Sequence, residues 1–224
     1  GHLGRSPQPS ALRACRPGDP PPATMDWTAS PPNTNGFAAR APKHARAFID
    51  FRKKLFNNKE VNFTMFFNSR NIRRKQIPDA MLAFRSFLDS LPREEALKCR
   101  FVLHTEMVSD HGTDLNKVKE YLFGEDYDDV IVFSNSKIDR KGLNFLYNTA
   151  DVQILLTSNE GWGLTLTEAM LAGTPIIANV TGGMQDQMRF EDKNGNWFNP
   201  TPEIPSNHRK TFTNHGEWAF PVYP

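Results

Sequence analysis

Two carboxylates eight residues apart, Glu160 and Glu168, bracket a glycine-bearing turn in the stretch Ser158-Asn-Glu-Gly-Trp-Gly-Leu-Thr-Leu-Thr-Glu168. At that spacing they can flank one ligand from two sides, and carboxylates accept hydrogen bonds well from paired hydroxyls such as those of sugars and ribose. The turn follows an apolar run and opens a helix-period segment that Gly173 closes. At such a helix start the N–H groups of Gly163, Leu164 and Thr165 lack helical acceptors and lie at the positive end of the dipole, which suits a phosphate. Each feature also has a plainer reading. Thr165-x-x-Glu168 fits a capping box, in which Glu168 only serves a backbone N–H, and the local pattern does not choose between the two. Glu160 alone reads as a solvated loop carboxylate, and glycine pairs shape many ordinary turns.

A second chemical cluster is Ser69-Arg-Asn-Ile-Arg-Arg-Lys-Gln76, where Arg70, Arg73, Arg74 and Lys75 are concentrated. Fixed cations can neutralise a diphosphate as it leaves. Taken alone, the segment is more simply a solvated basic loop. The elements that must position it decide otherwise.

Five short apolar runs, Phe63–Phe67, Phe101–His104, Val130–Phe133, Val152–Leu156 and Pro175–Ala178, alternate with helix-period segments and read as buried strands. Met81, Phe84, Leu88 and Leu91 recur at spacings of three and four, as do Leu115, Val118 and Leu122, so each set lines one helix face. Each gap between runs leaves room for one crossover helix, which favours parallel pairing. The expected fold is therefore α/β, a doubly wound, mostly parallel sheet. In such sheets ligands lie beyond the C-terminal strand ends, which brings the basic loop and the glycine turn to one crevice and makes each signal support the other.

The flanks differ in composition. Nine of the 17 prolines fall in the first 42 residues, so residues 1–45 are expected to be disordered, and residues 1–24, ahead of Met25, read as upstream sequence rather than native protein. Residues 46–60 form a lead-in helix or linker, 61–200 the folded domain, and 201–224, without a clear period, an irregular segment. The balance of 27 Lys plus Arg against 25 Asp plus Glu gives a net charge of +2, without the excess that nucleic-acid binding requires. Two cysteines build neither a disulfide framework nor a four-thiolate zinc site, which suits a reducing, cytoplasmic setting. No run reaches the roughly 20 apolar residues of a membrane span. The histidines show no i, i+4 pair and no cysteine partner at zinc spacing, so no metal site is expected.

The stretch Glu160-Gly-Trp-Gly-Leu-Thr-Leu-Thr-Glu-Ala-Met-Leu-Ala-Gly-Thr-Pro175, followed by Gly182-Gly183, resembles the Glu-x7-Glu signature of retaining glycosyltransferases of the two-domain GT-B fold, in particular glycosyltransferase family 4. Arg70 and Lys75 resemble that family's Arg-x4-Lys phosphate pair, and the similarity covers roughly residues 60–200. The resemblance implies the Rossmann-like C-terminal half of a GT-B fold and transfer, hexosyltransferase-like and with retention, from a nucleotide-diphosphate sugar. It implies that Arg70, Lys75 and Glu160 form the catalytic set. The two cations would stabilise the departing diphosphate while Glu160 contacts the donor sugar. Glu168 would bind the ribose, the backbone of Trp162, Gly163, Leu164 and Thr165 would hold phosphate oxygens, and Asn135 and Ser136 would lie near the base.

The family uses no divalent metal or other cofactor. Its acceptor site comes largely from an N-terminal domain, which residues 1–60 are too short and too proline-rich to form, so the chain reads as the donor-binding half of a longer enzyme with an undetermined acceptor. Three departures stand out. Gln76 replaces the glycine usual after the lysine, Thr165 stands where proline is frequent, and His104-Thr-Glu106 replaces a glycine-rich turn. A non-catalytic nucleotide-binding or interaction module of the same fold is the alternative, and a phosphorylase-like enzyme with a pyridoxal lysine is a third reading.

Overall fold

The computed structural model describes residues 46–198, 201 and 210–223. The disordered leader expected over 1–45 lies outside them, as do 199–200, 202–209 and 224. Six strands form one sheet: β1 Phe63–Asn68, β2 Cys99–His104, β3 Ile131–Phe133, β4 Val152–Leu155, β5 Ile176–Asn179 and β6 Ala219–Val222. Their order is β3-β2-β1-β4-β5-β6 and every pairing is parallel.

Each of the five apolar runs becomes a strand. β2 begins earlier than its run because Arg100, only 3% exposed, satisfies its guanidinium internally on the carbonyls of Leu97 (2.7 Å) and Cys99 (2.8 Å). The expectation of an irregular segment over 201–224 needs correction, since its described part contributes β6. Pro221 interrupts the usual strand signal there, and it is tolerated because β6 is an edge strand, where a missing N–H costs no ladder bond on its open side.

The helices are α1 Arg46–Leu55, α2 Ile77–Asp89, α3 Arg93–Ala96, α4 Leu115–Phe123, α5 Arg140–Thr149, α6 Leu164–Leu171 and α7 Gly183–Gln187. They cover both faces of the sheet. On one face the α2 residues Met81, Phe84 and Leu88 are fully buried, and Phe84 packs on Phe101 of β2 with ring centroids 5.3 Å apart. On the other, Tyr147 of α5 meets Phe66 of β1 edge-on at 5.1 Å. Each such buried aromatic stabilises the fold by about 1.5–3 kcal/mol. Asp114 and Asp139 start α4 and α5 by accepting N–H bonds from Asn116 and Lys117, and from Gly142.

The strand order runs outward from β1 through β2 and β3, then restarts at β4. That reversal is the topological switch point, and the crevice it opens lies between the C-terminal ends of β1 and β4. The basic loop leaves one of those strands and the glycine turn leaves the other.

Candidate functional site

Across the switch point the two loops are tied together. Thr157 Oγ1 and the Ser158 N–H both donate to the Arg74 carbonyl, at 3.0 and 2.9 Å. Residues Arg73–Lys75 form a single 3-10 turn that presents consecutive cations to the opposing loop. Lys75 Nζ donates to Glu160 Oε2, and Arg74 donates to the same oxygen at 3.1 Å. The Arg74 guanidinium is itself held by the Asn159 carbonyl (2.6 Å) and Thr157 Oγ1 (3.3 Å). Lys75 is buried, its side chain 9% exposed, and the Glu160 side chain is 17% exposed. Burial alone would push the Glu160 carboxyl up, but the hydrogen bonds from Lys75 and Arg74 outweigh it and hold the group below its ordinary range.

The turn between β4 and α6 depends on glycine. Gly163 is the N-cap of α6 at φ 87°, a left-handed conformation. A Cβ on Gly182 would lie 2.1 Å from the Glu160 carbonyl oxygen, and one on Gly183 2.2 Å from that of Gly161, so the start of α7 seats directly against the turn. The first paired amide of α6 is that of Leu166, bonded to the Gly163 carbonyl at 2.9 Å, while the N–H groups of Gly163, Leu164 and Thr165 have no acceptor among the described residues. The indole of Trp162 donates to Thr167 Oγ1 (2.9 Å), Thr167 donates to Gln187 Oε1 (2.8 Å), and the Gln187 amide returns a hydrogen bond to the Trp162 carbonyl. This closed ring fixes the loop backbone while leaving Trp162 and Leu164 exposed at the surface.

Glu168 lies one turn inside α6, half-buried. The capping-box reading fails, because no side chain caps α6 and the carboxylate instead accepts the Tyr147 hydroxyl proton at 2.5 Å. Tyr147 in turn accepts from Asn68 Nδ2 at 2.8 Å. Burial raises the Glu168 carboxyl and the Tyr147 hydrogen bond only partly offsets it, whereas burial and then the Glu168 charge push the Tyr147 phenol far up, so the proton stays on the tyrosine. Both carboxylates thus connect to the C-terminal end of β1, Glu160 through Lys75 and Arg74 and Glu168 through Tyr147 and Asn68.

The remaining expected residues lie in loops at the same end of the sheet and, among the described residues, make no hydrogen bond or ion pair with Glu160 or Glu168. Arg70 is exposed in the loop after β1, and Asn135 and Ser136 are exposed in the loop after β3. After His104-Thr-Glu106, which replaces the glycine-rich turn usual in the family, the loop following β2 is held by buried Asn71. Its amide donates to the carbonyls of Glu106 (3.1 Å) and Thr113 (2.6 Å) and accepts the Thr113 N–H (3.1 Å). His104, at the end of β2, sits 3.1 Å from Ser134 Oγ, and burial lowers its titration. Gln76 adopts φ 48° and ψ 43°, the left-handed conformation for which glycine is the better residue.

Of the residues expected from sequence, the structure brings Lys75 onto Glu160 and leaves Glu168 on the neighbouring helix, while the contacts of Tyr147 and Asn68 with Glu168 and of Arg74 with Glu160 were not anticipated. Among the described residues no group of three or more His, Cys, Asp or Glu is arranged to hold a metal ion, and no helix is long and apolar enough to cross a membrane.

The family profile described as glycosyl transferases group 1 matches residues 48–206, and the chain belongs to that family. A trehalose synthase of Pyrococcus horikoshii is 35% identical over 65 residues, which is 29% of this chain and 16% of that protein. An uncharacterised glycosyltransferase of Methanocaldococcus jannaschii is 38% identical over 58 residues, 26% of this chain and 15% of that one. The matched stretch therefore spans about a sixth of these relatives' length.

Among solved structures, the apo form of OtsA superposes with a TM-score of 0.52 at 19% identity, covering 66% of this chain and 34% of that one. A trehalose-6-phosphate structure from E. coli bound with UDP-2-fluoro glucose gives 0.50 at 20% identity over the same shares. These likenesses are to the fold, a Rossmann-like α/β sheet.

Proposed function

We propose that this chain is the donor-binding domain of a retaining GT-B glycosyltransferase of family 4, which transfers a sugar from a nucleotide-diphosphate donor in the cytoplasm without a metal. The observation that carries the reading is the meeting of Lys75 and Arg74 on Glu160 across the switch point, beside a helix start whose three leading amides have no acceptor in the described chain. Cations and aligned N–H groups are what a departing diphosphate requires, and supplied in a fixed array they cost no reorganisation as charge develops.

In this reading the diphosphate draws on Lys75 and Arg70 and on the backbone from Trp162 to Thr165. Arg74 keeps hold of Glu160 as its carboxylate turns to the sugar hydroxyls. Glu168 takes the ribose, and Asn135 and Ser136 border the base. Retention follows the family resemblance. The acceptor site belongs to an N-terminal domain of the longer enzyme, so rate enhancement, coming from positioning and leaving-group stabilisation, appears only in that form.

The test has two parts. UDP, ADP or GDP raises the melting temperature of the 224-residue chain, since a ligand at 100 times its Kd stabilises a fold by about 2.7 kcal/mol. In the longest natural form of the protein, Glu160→Ala and Lys75→Ala each abolish transfer while unfolding stays cooperative, and chelation of divalent metal leaves the wild-type rate unchanged. Transfer that survives both substitutions assigns the chain to the non-catalytic module instead.

A further inference from the structure

We infer that Tyr147 and Asn68 are positioning residues for Glu168 and make the site selective for ribonucleotides over deoxyribonucleotides. The inference rests on the reading of Glu168 as the ribose ligand and extends it to two residues that touch no part of the nucleotide.

The Asn68 amide nitrogen only donates, so the Tyr147 oxygen accepts at that 2.8 Å contact and must direct its single proton elsewhere. It directs it to Glu168 Oε2 at 2.5 Å. That oxygen is thereby committed to the protein, while Oε1 has no partner among the described residues. A glutamate carries three rotatable bonds, and a ligand that must also order them binds more weakly than one meeting a fixed carboxylate.

The donor that fixes it cannot wander. Tyr147 is 1% exposed, its ring meets Phe66 edge-on at 5.1 Å with planes at 85°, and its carbonyl accepts Thr174 Oγ1 at 2.8 Å. Asn68 is the last residue of β1, directly ahead of the basic loop, so the same short chain sets the distance between the ribose carboxylate and the phosphate-binding cations. A site built to meet hydroxyls strongly rejects the analogue that lacks them, because its own polar groups are then left unpaired.

The experiment measures Kd by titration calorimetry for UDP, ADP and GDP, for the 2′,3′-dideoxy counterpart of each, and for inorganic pyrophosphate. It uses the wild-type chain, Tyr147→Phe and Asn68→Ala. In the wild type a ribonucleotide binds more tightly than its dideoxy counterpart. Tyr147→Phe keeps the ring packing and weakens the ribonucleotide about tenfold, the order expected for one charge-assisted hydrogen bond, while the dideoxy counterpart and pyrophosphate change less than about twofold. Asn68→Ala shows the same split to a smaller degree, and it carries the test should Tyr147→Phe fail to fold.

Equal weakening of the ribo and dideoxy forms would overturn the inference, since a merely structural role predicts that result, and so would no weakening in either variant. A wild type that binds none of the three nucleotides would overturn the donor-site reading itself. A wild type that binds ribo and dideoxy forms alike would leave the phosphate site standing and remove the ribose role of Glu168.

Discussion

Replacing Lys75 with methionine removes one charge and keeps most of the buried stem, so packing is largely preserved. Glu160 then retains Arg74 at 3.1 Å. Breaking a fully buried ion pair costs about 3–5 kcal/mol when a charge is stranded, but here the carboxylate keeps a cation and some solvent contact, so stability should fall by only about 1–2 kcal/mol. Nucleotide binding should suffer separately. A lost charge-assisted contact to a diphosphate weakens binding by about 1.5–3 kcal/mol, or roughly 10- to 150-fold in Kd. Titration calorimetry with UDP, ADP and GDP reads the second effect and urea unfolding the first. Arg73→Met is the control, because Arg73 is exposed on the same turn and loses the same formal charge, and its Kd should stay within about twofold of wild type. An unchanged Kd in Lys75→Met, or an equal loss in Arg73→Met, would refute the idea that Lys75 meets the diphosphate at a defined point.

Three further outcomes follow from the same geometry. Gln76→Gly relieves a left-handed backbone and removes a buried amide oxygen that has no hydrogen-bond partner among the described residues, so calorimetry should show a gain of about 1 kcal/mol and a melting temperature higher by about 2–4 °C. Glu160 titrates below its ordinary value of 4.5, so the stability it adds is fully present above that pH and is lost as pH falls through its folded value. The difference in unfolding free energy between wild type and Glu160→Gln should accordingly be flat above pH 4.5 and shrink below it, and a difference that grows on acidification would reverse the assigned sign. Gly182→Ala places a methyl group 2.1 Å from the Glu160 carbonyl oxygen and requires alanine at φ 50°, so both melting temperature and nucleotide affinity should drop sharply, whereas Gly161→Ala, with nothing near its Cβ, should leave the fold intact.

The sheet was readable from sequence because parallel strands buried on both faces give continuous apolar runs, and Phe66, Phe101 and Ile154 mark three of them. β6 was not, since Ala-Phe-Pro-Val carries a proline and pairs on one side only. The first residues of β2 escaped for a related reason, a buried arginine satisfied by carbonyls that only the folded chain supplies. Within the site, Glu160 and Lys75 were legible because loop position and charge both single them out. Tyr147 was not, because an aromatic in a crossover helix reads as core, and most of its ring is core. Only the packing of α5 beside α6 brings its hydroxyl to Glu168, a relation between residues 21 apart in sequence that no local pattern encodes. Asn71 was missed similarly, since an asparagine in a loop signals a turn and not the bracing of a second loop some forty residues away.

A crystal structure of the chain with UDP, ADP or GDP bound shows whether one crevice between β1 and β4 grips a nucleotide diphosphate. Phosphate oxygens should lie on the amides of Gly163–Thr165, with Lys75 turned from Glu160 toward the diphosphate and the ribose hydroxyls on Glu168. A nucleotide seated elsewhere on the protein, or bound in the crevice with its ribose away from Glu168 and Lys75 still on Glu160, would contradict that arrangement.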